Sequence, residues 1–432
     1  MKKKMIASLL AVALIASSLV GCGTTAETPA AETTEAVAEE PAAEEAVAEE
    51  PAEIENVSLV LWGAEEDQAM LAEMVETFKT AYADKAVFDI SIGVESESTA
   101  KDTVLTDIEA AADVFAFADD QLGELVNAGA LQPVSINTDA IIEANGGVDA
   151  GSVKAASIDS TLYAYPMTAD NGYFMFYNKE YFTEDDVTSF DKMLEVAGAA
   201  GKQITMQYDS GWYLYSFFAG AGFKANLLED GVNNFCDWNE EGGVAVVESM
   251  LEIAKNPAFV SLNDAAFVTG VQDGTIIAGI NGTWNAQVAS DTWGDNYAAA
   301  KLPTYTLNGE QVQMSSFAGY KLVGVNAYSE FAGWAMLLAE WLTNYDNQVI
   351  RFETRGLGPS NVEAGASDAV QSAPAIAALA EQSKYATVQR IGGNYWSATE
   401  TFGAIIAAGN TDETDLQTLL DNMVTGIVAP VE

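Results

Sequence analysis

Histidine is absent from all 432 residues. That excludes serine–histidine–aspartate and cysteine–histidine catalysis and every histidine-ligated metal centre, leaving carboxylates for any acid–base chemistry. No cofactor and no metal ion are expected. Cysteine is nearly as scarce, with only Cys22 and Cys236. Because Cys22 directly follows the leader and precedes the folded part, no disulfide can form inside that part, and Cys236 reads as a small buried hydrophobe. Bases are few, 18 against 64 acids, and three of the lysines open the leader. The remainder carries 15 bases against 64 acids, a net charge of −49. A charge of that size repels nucleic acid and anionic lipid headgroups, so neither is expected as a partner. Long apolar runs are also lacking, since the one at 5–20 falls short of the roughly 20 residues a bilayer requires.

That run belongs to MKKKMIASLLAVALIASSLVGCG, in which three lysines, an apolar segment and a small residue before cysteine occur in order. The pattern resembles the bacterial lipoprotein lipobox. It implies a signal peptide over 1–21, lipidation of Cys22 as the first mature residue, and attachment to the outer face of the cell membrane. A secreted chain with an incidental cysteine is the alternative. Residues 23–56 hold 11 glutamates, no base and no aromatic residue, a composition that cannot bury a core. With Cys22, this segment (22–56) reads as a disordered, self-repelling tether.

The body, 57–432, is long enough for two lobes. VSLVLW (57–62) reads as a strand, followed by Met70, Leu71, Met74, Val75, Phe78 and Tyr82 at helical spacing. FDISIGV (88–94) and DVFAFA (113–118) are the next strands. Strands alternating with helices predict an α/β fold with a mainly parallel sheet, whose ligands sit beyond the carboxyl ends of the strands. A polar connection at 168–172 separates TLYAYP from YFMFYN, and the alternation restarts after about residue 170. It runs through a helix at 190–200, the strand KQITMQ, the aromatic WYLYSFFAGAGF, a helix at 243–255, and the strand TIIAGI closing on an Asn281-Gly282 turn. Residues 329–356 read as one long helical stretch closed by Gly356 and Pro359. Trp334 and Trp341 share one of its faces and are expected in the core, and Trp62 at a strand end is expected to be structural.

Six segments in register carry a family resemblance: LVLWGAEEDQAMLAEMVETFK, DVFAFADDQLGELVNAGALQPV, YPMTADNGYFMFYNKEYF, GTIIAGINGTWNAQV, KLPTYTLNGEQVQMSSFAGYKLVGVNA and NYWSATETFGAII. They resemble extracellular solute-binding proteins of the maltose/maltodextrin-binding kind, the ligand-capturing component of ABC importers. The resemblance implies a two-lobed, periplasmic-binding-protein-like α/β fold. Lobe one would be 57–168 with 320–364 and lobe two 171–316 with 368–432, joined by hinge crossings. It also implies a monomer that binds a neutral oligosaccharide, of the malto-oligosaccharide or α-glucan kind, and meets permease subunits in the membrane.

Sugars are held in this family by aromatic rings under their CH faces and by polar side chains at their hydroxyls. Carried over, Trp284 in INGTWN and Trp396 in NYWSA are the stacking tryptophans. Trp212 stands where a tyrosine is usual and Phe117 where tryptophan is. Asp120, with Asp119 beside it, Asp170 at the first crossing (where this chain has one extra residue) and Glu66 are the expected polar contacts. Asp67, Gln121 and Glu400 replace bases, which predicts a more acidic cleft. The body's charge, 15 bases against 53 acids, argues against an anionic ligand. Another neutral sugar or a sugar alcohol is the nearest alternative ligand. An extracellular glycoside hydrolase would need two carboxyls across one glycosidic bond, and no catalytic pair is marked in the sequence. A surface adhesin displayed on the acidic tether is a third reading.

Overall fold

A computed structural model describes residues 54–431. The signal peptide, Cys22 and the tether up to residue 53 lie outside the described residues. The folded chain begins at Glu55 rather than 57, because Glu55 and Asn56 pair with Ala86 and Val87. The alternation read from sequence is present: strand Glu55–Gly63, helix Gln68–Ala81, strand Ala86–Val94, helix Ala100–Thr106 and strand Val114–Ala118. The first helix buries Met70, Leu71, Met74, Val75 and Phe78, the stripe that its spacing predicts.

One ten-stranded sheet runs through the body. Along its main path the order is Phe259–Val260, Gln203–Thr205, Ile276–Gly282, Ala164–Asn178, Ser316–Val325, Val114–Ala118, Glu55–Gly63, Ala86–Val94. The outer strands pair in parallel at both ends. The two long strands in the middle, Ala164–Asn178 and Ser316–Val325, pair antiparallel with each other and with their neighbours on this path, and Ser316–Val325 also pairs in parallel with Ala386–Val388. Residues 168–172, expected as a loop, are part of one continuous strand, because the polar residues there still complete ladder bonds to Ser316–Val325.

These two strands feed two separate cores. Tyr165, Met167, Leu322, Val323 and Val325 pack with the 57–162 elements and helix Ala332–Thr343. Tyr173, Met175, Tyr177 and Phe317 pack with helices Phe190–Ala200, Gly211–Gly220, Gly243–Ala254, Asn394–Ala407 and Leu416–Ile427. Alternation sends Phe174 and Phe176 to the other face, against Phe267, Ala375 and Ala378. The stretch predicted as one helix over 329–356 is two, Ala332–Thr343 and Tyr345–Arg355. Asn344 leaves helical backbone geometry between them and accepts a hydrogen bond from the Asn347 amide, capping the second. Gly356, at φ 70°, ends it as the sequence implies. Trp334 and Trp341 pack against the first core with their indole N–H groups bonded to Glu55 and the Met74 carbonyl. Cys236 is buried, and burial pushes its thiol up to about 12. Among the described residues no helix is long and apolar enough to cross a membrane.

Candidate functional site

The second core presents aromatic rings at the ends of its elements. Trp212 stands in the first turn of helix Gly211–Gly220 and Trp396 in the first turn of helix Asn394–Ala407. The two helix starts meet closely, since a Cβ on Gly211 would fall 2.2 Å from Thr399 Oγ1. Between the tryptophans lies Phe317 of the crossing strand, stacked 5.5 Å from Trp212 at 26° and 6.5 Å from Trp396. Phe317 is itself buried, whereas both tryptophans keep part of their surface.

Trp284 stands at the end of the neighbouring strand. The strand runs through Asn281 and Gly282, the residues expected to turn, because Gly282 still pairs with Tyr173; the chain leaves the sheet only at Thr283. Asp264, first residue of helix Asp264–Gln272, accepts from Asn281 at 2.9 Å, Asn285 at 3.1 Å and Trp284 Nε1 at 3.2 Å. A Cβ on Gly282 would lie 2.0, 2.1 and 2.4 Å from Cζ3, Cη2 and Cε3 of Trp284. Three adjacent ring atoms at nearly equal distance mean contact through the ring's face, so the indole is laid flat on the glycine. Tyr213 links the tryptophans, with its ring 5.1 Å from Tyr173 and its hydroxyl 3.4 Å from Asn281 Oδ1. Tyr173 in turn meets Trp212 at 5.3 Å. Trp212 and Trp396 thus pack on one core, and Trp284 is tied to it through Asp264, Asn281 and Tyr213.

The first core contributes charge. Asp67, buried, is held by Arg351 at 2.6 Å and Arg355 at 2.9 Å. Burial works to raise its carboxyl, but the two guanidiniums reverse the sign and hold it below the usual range. Asp119, also buried, accepts from Arg390 at 2.9 Å and from the Tyr320 amide at 3.0 Å. Burial nevertheless raises its pKa. Asp120 keeps an Oδ1 that is buried without a hydrogen-bond partner among the described residues. Burial and the adjacent Asp119 push its carboxyl up to about 8. Lys321 on the crossing strand pairs with Glu97 at 3.5 Å, and its ammonium lies 5.5 Å from the centre of the Trp284 ring.

Several expectations are corrected. Phe117 is fully buried, packed beneath Gly324 in the first core, and offers no face to a ligand. Asp170 points to the opposite side of its strand from Tyr173, where Oδ2 accepts from the Gly358 amide at 2.6 Å. Alternation along the strand gives Asn171 the face shared with Tyr173. The predicted acidic cleft is locally balanced. Asp67 is matched by two arginines, Gln121 is buried against the backbone of Glu97 and Ser98, and Glu400 stands exposed on its helix. Glu66 is exposed. Sequence reasoning missed Lys321, Arg351, Arg355 and Arg390. For Lys321 there was a signal, a lone cation in the otherwise apolar strand FAGYKLVGV.

A cavity of about 510 Å³ lies on the other face of the crossing strands, lined by Asp170, Gly172, Ser316, Ile376 and Leu379 among others. Its walls are mainly small and aliphatic and contain none of the tryptophans. The aromatic and charged cluster is therefore the better candidate, because it alone pairs flat apolar faces with fixed hydrogen-bonding groups. Among the described residues no cluster of three or more potential metal ligands occurs.

A family model described as bacterial extracellular solute-binding protein matches residues 73–378. The galactooligosaccharide-binding protein of Bacillus subtilis (strain 168) is 26% identical over 344 residues, 76% of this chain and 78% of that protein. A solved structure described as being with acarbose aligns at TM-score 0.77 and 30% identity, over 86% of this chain and 99% of the other. A maltodextrin-binding protein from L. casei BL23, solved without ligand, shares the fold at TM-score 0.69 and 24% identity, over 87% of this chain and 100% of the other.

Proposed function

From the premise that the chain belongs to the bacterial extracellular solute-binding protein family, we propose that it captures a neutral oligosaccharide, a malto-oligosaccharide or related α-glucan fragment. The observation that carries this reading is the pair Trp212 and Trp396 on one core, joined through Phe317, with Trp284 tied to them through Asp264, Asn281, Tyr213 and Tyr173. A pyranose has an apolar CH face and a polar rim, and a set of tryptophans beside Lys321, Glu97 and the Asp119–Arg390 pair matches both. Each such ring removed from water together with a sugar face contributes on the order of 1–3 kcal/mol.

In this reading residues 57–168 with 320–364 act as one lobe and 171–316 with 368–432 as the other. Closure about the crossing strands buries the sugar, and the closed form is handed to ABC permease subunits. Lipidated Cys22 holds the protein at the outer face of the membrane, with the acidic tether as spacer. The relative named for galactooligosaccharide binding favours a second reading, in which the ligand is a neutral galactooligosaccharide.

Calorimetric titration with maltotriose and with a galactooligosaccharide, followed by chromatography of the recovered sugar, tests both readings. Binding of either sugar, recovered intact, supports a receptor and names its ligand. Cleavage of the sugar, or no heat with any neutral oligosaccharide, overturns the proposal.

A further inference from the structure

Lys321 is an anomaly in its surroundings. It is a cation on a buried strand, its side chain 12% exposed, paired with a Glu97 side chain that is 9% exposed. Burial opposes its charge, and Glu97, with Asp170 and Asp67 behind it, more than offsets that opposition and keeps the ammonium protonated. Yet 3.5 Å is long for a charge-assisted hydrogen bond, which closes to about 2.7–2.9 Å when fully made. An ammonium has three donors, and this one directs its charge toward the indole of Trp284, 5.5 Å from the ring centre.

That spacing has a specific size. At 5.5 Å the ammonium is within cation–π range of the ring but beyond direct contact, which closes to about 3.5–4 Å. A sugar laid on the ring would place its ring atoms about 4 Å above it and its hydroxyls about 2.9 Å from a donor beyond, near 7 Å in all. The ammonium therefore stands about 1.5 Å short of where it would cap a stacked sugar. The four-carbon stem has the reach to give that distance. The indole is less free to give way, because it rests on Gly282 and Asp264 holds its N–H.

We infer that Lys321 is the polar half of the Trp284 subsite, its ammonium donating to the hydroxyl or ring oxygens of the sugar unit that lies on Trp284 while Glu97 holds it from behind. This deepens the sugar-binding reading and rests on it. It also assigns a specificity: the subsite takes a sugar unit with an oxygen acceptor on the side turned away from the tryptophan, and discriminates against a unit deoxygenated there. Because Glu97 shares the ammonium's charge, a neutral acceptor suffices.

The test is calorimetry with maltotriose, and with a set of its monodeoxy analogues, on the wild-type protein and on Lys321→Met, which keeps the stem and removes the donors. The variant is expected to bind maltotriose about ten- to a hundred-fold more weakly. Removing one particular hydroxyl should cost the wild-type protein a similar factor and the variant almost nothing, a pattern that a merely structural role would not produce. Should Lys321→Met lose its cooperative melting transition, Lys321→Gln is measured in its place with the same expectations. Affinity within two-fold of wild type, or equal sensitivity of both proteins to every deoxy analogue, overturns the assignment while leaving sugar binding intact. No binding of any neutral oligosaccharide by the wild-type protein overturns both.

Discussion

Gly282→Ala separates what the fold needs from what the ligand needs. The backbone at Gly282 is extended, φ −100° and ψ 176°, a conformation alanine adopts freely. The three heavy atoms nearest the new methyl all belong to the indole of Trp284, the closest at 2.0 Å. Ordinary carbon–carbon contact is about 3.5–4.0 Å, so the ring must withdraw by about 1.5 Å or more. It is the end of a half-buried side chain whose hydrogen bond to Asp264 is exposed, so it can swing away at modest cost. At such backbone-compatible sites a methyl also restrains the unfolded chain, worth about 0.4–1 kcal/mol, which offsets part of what the displaced indole loses. Stability should therefore stay within about 1 kcal/mol of wild type, read as a urea midpoint. Binding depends on where the ring lies. If the ring is a sugar platform, its displacement costs the stacking contact, on the order of 1–3 kcal/mol, or roughly 5- to 150-fold in Kd by calorimetry. Trp284→Ala should lose as much, and the double variant no more than either single one, because both remove the same contact. Unchanged affinity in a folded Gly282→Ala protein would refute the assignment of this face to the ligand.

Two further outcomes follow from the charged side. Asp67→Asn leaves Arg351, which is 2% exposed, without its counter-charge, and should destabilise the protein by about 3–5 kcal/mol in urea denaturation; a loss under 1 kcal/mol would mean that the guanidinium finds water. Asp120 has its carboxyl raised from the ordinary 3.8 to about 8, beside Asp119, Lys101 and Arg390. Folding therefore favours its protonated form, so its contribution is most favourable below pH 4 and declines as pH rises to about 8. Asp120→Asn, which cannot ionise, should melt progressively higher than wild type across that interval, and a constant offset would contradict it.

How far the site was legible depended on which interactions are local in sequence. The strand and helix alternation over 57–118 and the stripe from Met70 to Phe78 follow from periodicity, and the structure has them. Trp212, Trp284 and Trp396 each follow a strand end or open a helix, a position that sequence can recognise because chain breaks carry polar and glycine signals. Phe117 could not be placed that way, since FAFA puts Phe115 and Phe117 on one face and only the packing of the sheet covers that face completely, burying both rings. Asp170 failed for a register reason, since the sheet's pairing turns it toward the Gly358 amide and away from the side of Tyr173. Asp67 illustrates the largest gap. Its partners Arg351 and Arg355 lie 284 and 288 residues away, so a carboxylate that seemed to acidify a cleft is in fact neutralised inside the protein.

A crystal structure of the protein grown with maltotriose tests the central claim most directly. Glucose units are expected stacked on the exposed face of Trp284, flanked by Trp212 and Trp396, with the Lys321 ammonium within hydrogen-bond distance of the unit on Trp284. Sugar density in the cavity behind the crossing strands, beside Ile376 and Leu379, with the tryptophan faces bare, would contradict it.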